Sequence, residues 1–115
     1  MNLAVETSDV AGADIEAAFL RLSRQDPEFA GRWLEGLNRM IAALDTFPTR
    51  HARVSESDTC GREVRRMLYR NGRTVYRVFF TLLDADGDGD PDTVRVLRVR
   101  HGAQRPLGQP DAEAE

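Results

Sequence analysis

Two groups of residues in this 115-residue sequence have side chains suited to chemistry, and they lie in its second half. The first combines His101 with a set of arginines. An unperturbed imidazole titrates near pH 6.5, so His101 is the one convincing acid–base group close to the predicted strands. Arg65, Arg66, Arg77, Arg98 and Arg100 precede it on the predicted strands. Each guanidinium can grip a phosphate or a carboxylate through two parallel hydrogen bonds. The second group is the loop Asp84-x-Asp86-x-Asp88-Gly89-x-x-Asp92. Carboxylates at this spacing can converge on a hard cation such as Ca²⁺, with glycine allowing the sharp turn. An EF-hand would need an acid at its twelfth position, which here is Arg95, and helices on both sides, where strands are predicted. The pattern is closer to the calcium loops of β-hairpins. The competing account is a solvated acidic turn that keeps a hairpin edge from aggregating.

Charge is distributed unevenly. All 16 basic residues are arginine, and the formal net charge is −3. Residues 1–49 hold four arginines and eight acids, whereas residues 50–105 hold twelve arginines and eight acids, five of these in the Asp84–Asp92 loop. The last ten residues add three acids and no base. An Arg-rich second half therefore follows an acidic first half. With one cysteine, Cys60, the chain can form neither an internal disulfide nor a cysteine metal site, which suits a reducing compartment. The opening residues Met1–Val5 lack the basic and apolar regions of a signal peptide. No stretch approaches the roughly 18 apolar residues of a membrane span. A cytoplasmic protein that avoids membranes is expected.

The elements that must position these groups follow from periodicity. Leu3–Thr7 alternates like a short strand. Thr7, Ser8 or Asp9 can cap a helix in which Ile15, Ala18, Phe19 and Leu22 share a face. Asp26-Pro27-Glu28 opens a second helix, with a cap, a proline at the first position and an acid at the positive end. Ala30, Trp33, Leu37, Ile41 and Leu44 form its apolar stripe from Pro27 to Leu44, and Phe47-Pro48 ends it. The short link at Gln25 makes the two helices an antiparallel hairpin. Thr49–Gly61 is an irregular connector.

The period then becomes extended. Arg62–Arg70 is a strand with Val64 and Leu68 on one face. Asn71-Gly72 signals a tight hairpin turn. Thr74–Leu83 turns Tyr76, Val78, Phe80 and Leu82 toward the core and Arg77 and Thr81 away from it. Thr93–His101 is the last strand, and its pattern slips between Val96 and Leu97, as at a bulge or a strand covered on both faces. Tyr69 and Tyr76 are expected in the core or in strand pairing. The expected fold class is α+β: a short N-terminal strand and an antiparallel two-helix hairpin packed on an antiparallel sheet of about four strands. A single domain spans residues 1–105, and residues 106–115, rich in proline and acid, form a flexible tail.

This order of elements resembles the RelE/ParE superfamily of toxins. Asp14–Phe19 is similar to its first helix, and Leu44–Arg50, with its aromatic-Pro pair and following base, to its helix exit. Val64–Tyr69 and Tyr76–Phe80 are similar to its Arg-bearing paired strands, and Val96–Gly102 to its final strand. The likeness covers about residues 1–107. It implies the toxin of a type II toxin–antitoxin pair, held inactive in a hetero-oligomer by a cognate antitoxin. Two modes of action occur among such toxins, a block of DNA gyrase and cleavage of mRNA on the ribosome.

Cleavage without a metal needs a general base, a general acid and cations at the phosphate. His101, Arg66 and Arg77 would be the catalytic group if the chain were a nuclease. Arg50, Arg53, Arg65, Arg98, Arg100 and Arg105 are candidates for contact with the target or with nucleic acid, and His51 lies with Arg53 on the connector. The chain departs from the nuclease pattern in lacking lysine and in carrying Gly102 after His101. Its overall acidity also suits RNA poorly. The gyrase-directed mode is therefore preferred, with no cofactor. A third reading, a non-toxic calcium-dependent interaction domain, would rest on Asp84, Asp86, Asp88 and Asp92.

Overall fold

A computed structural model describes residues 3–46, 64–72 and 74–102. The helix exit Phe47-Pro48, the connector with Arg50, His51 and Arg53, and Arg105 with the tail lie outside the described residues. The elements are β1 (Ala4–Thr7), α1 (Asp9–Gln25), α2 (Pro27–Ala42), a 3₁₀ turn at Ala43–Asp45, β2 (Arg65–Asn71), β3 (Thr74–Leu83) and β4 (Thr93–His101). The strands form one sheet in the order β1-β4-β3-β2.

Short-range chemistry sets the helix ends. The Ser8 hydroxyl accepts from the Ala11 N–H at 3.0 Å and donates to the Leu97 carbonyl at 3.2 Å, so one side chain starts α1 and ties it to β4. Asp26 serves both helices. Its N–H donates to the Leu22 carbonyl at the end of α1, and its carboxylate accepts from the Phe29 N–H at the start of α2. Pro27 fills the first position of α2, where a missing N–H costs nothing.

Every member of the predicted α2 stripe is buried: Ala30, Trp33, Leu37, Ile41 and Leu44. In α1 only Ala11 and Ala18 are fully buried, while Ile15, Phe19 and Leu22 pack partly exposed against the core. The difference reflects position. α2 lies over β2 and β3, with Trp33 against Tyr69 and Tyr76, whereas α1 follows β4, with Asp14 bonded to the Val99 N–H and Arg21 to the Tyr76 hydroxyl.

The sheet is mixed, a correction to the all-antiparallel arrangement expected. β1 pairs parallel with β4, from Ala4 opposite Thr93 to Thr7 opposite Val96. α1 carries the chain onward along the β4 direction, from Ser8 at Leu97 to Arg21 at Tyr76. α2 brings it back, so that the Asp45 carbonyl receives the Leu3 N–H. Three hairpin-connected strands then run forward, back and forward, which leaves β4 parallel to β1.

β3 and β4 have the predicted bounds, and β2 runs Arg65–Asn71 where Arg62–Arg70 was expected. Asn71 pairs with Thr74 as the last rung, so the turn centres one residue later, with Gly72 at φ 65°. The slip in β4 is a bulge. Phe79 pairs with Arg98 but Phe80 with Val96, leaving Leu97 as the extra residue.

The main core lies between helices and sheet. Trp33 stands at its centre, edge-on to Tyr76 with ring centroids 5.0 Å apart and tilted against Tyr69 at 6.2 Å. Tyr69 and Tyr76 face each other across β2 and β3. The Tyr69 hydroxyl donates to the Trp33 carbonyl at 2.8 Å, and it can reach that carbonyl because Gly36 has no Cβ; a methyl there would collide with the Tyr69 Oη. A second, smaller cluster of Val64, Phe79 and Leu97 sits on the opposite side of the sheet. Val64 and Leu68 share that outer side; Val64 is fully buried and Leu68 is 41% exposed.

Candidate functional site

The strand register sorts the predicted site residues onto two faces. On the helix side, Tyr76, Val78 and Phe80 of β3 alternate with the outward-facing Arg77, Phe79 and Thr81. His101 pairs with Tyr76 and therefore belongs to the helix side. Its ring is half-buried and stands edge-on to the Tyr76 ring, with centroids 5.2 Å apart. Arg65, opposite Phe80, also points to that side and is half-buried.

Arg66 lies opposite Phe79 and is exposed on the outer side. Arg77 stacks its guanidinium over the Phe79 ring, 5.6 Å from the centroid, and donates to the His101 carbonyl at 3.3 Å. Arg100 pairs with Arg77 on the same side, yet only 3% of its surface is exposed. The structure thus brings Arg66, Arg77 and Arg100 to one face. The His101 imidazole stands on the other, against Tyr76, and its backbone carbonyl accepts from Arg77.

Arg98 is committed elsewhere. Its Nε and Nη2 grip the two Asp14 carboxylate oxygens at 2.8 and 3.1 Å, and Asp14 Oδ2 also accepts the Val99 N–H at 2.9 Å. This pair is partly buried and clamps α1 to the open edge of β4, beyond the last residue that β1 covers. Arg95 pairs with Glu6 in an exposed ion pair at 2.6 Å. The sequence reading missed Arg70 and Leu68, which continue the Arg66 face of β2 at two-residue intervals and are exposed. The same alternation that assigned Val64 and Leu68 to one face contained this signal. Asp14 and Gly36 carried no local signal, because their partners are 84 residues and 33 residues away in sequence.

The acidic loop folds around its own carboxylates. Asp84 accepts from the backbone N–H groups of Gly87, Asp88 and Gly89 at 2.7–3.1 Å. Those donors, led by Gly89, hold Asp84 below the usual carboxylate range. Asp92 is held low by the Thr93 hydroxyl and by the Ala85 and Asp86 N–H groups. Asp86 moves the other way. The Asp88 N–H pulls it down, but a shared hydrogen bond with Asp84, desolvation and the Asp92 charge outweigh that donor and raise it. Gly87 and Gly89 take φ values of 77° and 98°, which side chains at those positions would resist. Among the described residues, Asp84, Asp86 and Asp88 can bring one oxygen each within 4.8 Å of one another. Asp92, the fourth expected ligand, is outside that group and caps the start of the loop. The arrangement is a self-bonded turn with three carboxylates on its exposed side.

A helical hairpin over one face of a mixed four-stranded sheet, with arginines on the other, defines a small α+β class. A solved structure described as a chromosomal ParDE TA system from P. aeruginosa shares the fold with a TM-score of 0.66, over 86% of this chain and 95% of that one, at 17% identity. No curated protein sequence matches. The family model "ParE toxin of type II toxin-antitoxin system, parDE" matches residues 5–106, and the chain belongs to that family. No described helix is long and apolar enough to cross a membrane.

Proposed function

We propose that this ParE-type toxin arrests growth by blocking DNA gyrase through protein–protein contact in the cytoplasm, and that a cognate antitoxin neutralises it in a hetero-oligomer. The observation that carries the gyrase reading is the separation of His101 from Arg66 and Arg77 by the thickness of the sheet. A metal-independent ribonuclease needs its acid–base group and its phosphate-binding cations around one scissile bond, within hydrogen-bond reach. Here the imidazole packs on a core tyrosine, and Arg98 is occupied by Asp14. An arginine-bearing face with an exposed leucine suits a protein partner, because arginine is favoured at interfaces for its planar, bidentate hydrogen bonding.

Induction of this chain alone should stop growth, and co-expression of the neighbouring antitoxin gene should restore it. Purified protein should inhibit supercoiling by gyrase. The alternative, a ribosome-dependent mRNA endonuclease, predicts codon-associated cleavage in a translating extract that is lost in His101→Ala and Arg66→Ala. Such cleavage, with supercoiling unaffected, would replace the gyrase reading.

A further inference from the structure

The strands that follow the helices carry one sign of charge. β2, β3 and β4 hold seven arginines and no acid. Five of the seven are engaged. Glu6 holds Arg95, and Asp14 holds Arg98. Arg77 stacks on Phe79 and donates to the His101 carbonyl. Arg65 and Arg100 are also engaged, and Arg100 is almost wholly buried. Arg66 and Arg70 differ. Both are exposed, and among the described residues neither side chain makes a hydrogen bond or an ion pair.

These two arginines lie on one side of β2 with Leu68 between them, because side chains alternate along a strand. Four residues of strand set their Cα atoms roughly 13 Å apart. Val10, Leu20 and Leu68 are the large apolar side chains exposed among the described residues; Val10 and Leu20 belong to α1, and Leu68 alone stands on the sheet. The neighbours fix the row in place. Arg66 is paired with Phe79, Leu68 with Arg77 and Arg70 with Val75 across β3, while Met67 and Tyr69 between them are buried in the core. A strand anchored in this way presents cation, apolar group and cation at a fixed spacing.

We propose that Arg66, Leu68 and Arg70 are the surface with which the chain grips its target, and that the target offers two carboxylates about 13 Å apart on either side of an apolar side chain. On the gyrase reading above, on which this assignment rests, the partner is an acidic patch of gyrase. Charge complementarity selects the acids. A guanidinium takes a carboxylate through two parallel hydrogen bonds, and no acid of β2, β3 or β4 competes for it. No internal ion pair has to be broken at Arg66 or Arg70 before the partner binds, so the row is preorganised for it. Leu68 selects a protein over a nucleic acid. A phosphate backbone laid along the row would press charge against a leucine that cannot hydrogen-bond, whereas a protein surface supplies apolar groups between its acids. A nucleic acid, as a long polyanion, would also meet the acids of the rest of the chain, whose formal net charge is −3.

The test is inhibition of gyrase supercoiling by the full chain, made in a cell-free system, and by three variants. Arg66→Glu with Arg70→Glu should raise the concentration for half-inhibition by about 100-fold, because like charges then face each other across the contact. Leu68→Asp should raise it as well. Arg32→Glu with Arg39→Glu makes the same change of charge at exposed positions of α2 and should leave inhibition unchanged. All three should melt within a few degrees of the parent, because the replaced side chains are exposed. Undiminished inhibition by either β2 variant, with the parent active, overturns the assignment and leaves the gyrase reading in place. Equal weakening in the α2 variant also overturns it, since overall charge would then account for the effect. A parent chain that leaves supercoiling untouched ends the gyrase reading and this assignment with it. Two measurements without gyrase separate the other occupants. The parent and the Arg66→Glu, Arg70→Glu variant should bind a labelled DNA duplex equally weakly and sediment with the same mass. DNA binding, or a dimer, that the parent shows and this variant loses would give the row to nucleic acid or to a second copy and overturn the target contact.

Discussion

The two faces of the sheet follow opposite physical rules. On the helix side, Trp33, Leu37, Tyr76, Val78 and Phe80 are sealed from water, and the polar atom of Tyr69 is satisfied within the core. On the outer side, a small cluster around Phe79 shares its face with Arg66, Leu68, Arg70 and Arg77. The first face explains why the chain folds; the second exposes Arg66, Leu68 and Arg70. A substitution on the covered face should therefore cost stability and, through it, activity. A substitution on the open face should change activity and leave stability nearly untouched.

Trp33→Ala is the most damaging change expected. It empties the centre of the core and should cost about 3–5 kcal/mol, seen as a lower urea midpoint. Gly36→Ala comes next, at about 1–3 kcal/mol, because the new methyl meets the Tyr69 hydroxyl. Adding Tyr69→Phe removes the colliding oxygen, so the double variant should lose less than the sum of the two single losses. Additive losses would mean that Gly36 matters only for helix flexibility. Asp14→Ala should cost about 1–2 kcal/mol by freeing the Val99 N–H and Arg98, and amide exchange at Val99 should accelerate before the rest of β4.

On the outer face the contrast should invert. Arg66→Ala should alter stability by no more than about 0.5 kcal/mol yet weaken growth arrest. A loss of arrest accompanied by a large fall in melting temperature would break the comparison between the faces. The smallest effect belongs to the acidic loop. Asp84 and Asp92 have lowered folded-state values, so the stability they contribute is present above the unfolded value of 3.8 and is lost as pH falls through the folded values. Asp86 is raised and contributes in the opposite sense: its share is present below 3.8 and is lost as pH rises through its folded value. The Gly87, Asp88 and Gly89 amides should lose protection below pH 3.8 before β3 and β4 do. Asp84→Asn should weaken their protection in chelator as well as in Ca²⁺, because those N–H groups bond directly to the Asp84 carboxylate. Loss confined to Ca²⁺-containing buffer would show that a cation, rather than the turn itself, orders the loop.

Local sequence specified what depends on neighbours a few residues away. Ser8 and Asp26 set the helix ends, the Ala30–Leu44 stripe set the buried face of α2, the alternation of Thr74–Leu83 set β3, and the slip at Val96–Leu97 set the bulge. These features follow from backbone periodicity and capping, which act over one or two turns and need no tertiary contact. The arginine face was also half legible, since alternation within β2 and β3 separates Arg66 and Arg77 from the core side.

Tertiary structure decided the rest, because those outcomes depend on which distant segments meet. Only strand register could set the His101 ring against Tyr76 and away from Arg66. Only the out-and-back path of the helices makes β1 parallel to β4. Asp14 reaches Arg98 across a sequence separation of 84 residues, and Gly36 is small for the sake of a tyrosine in another element. Side-chain type and spacing limit the partners a residue can have; the packing of separate elements determines which one it meets.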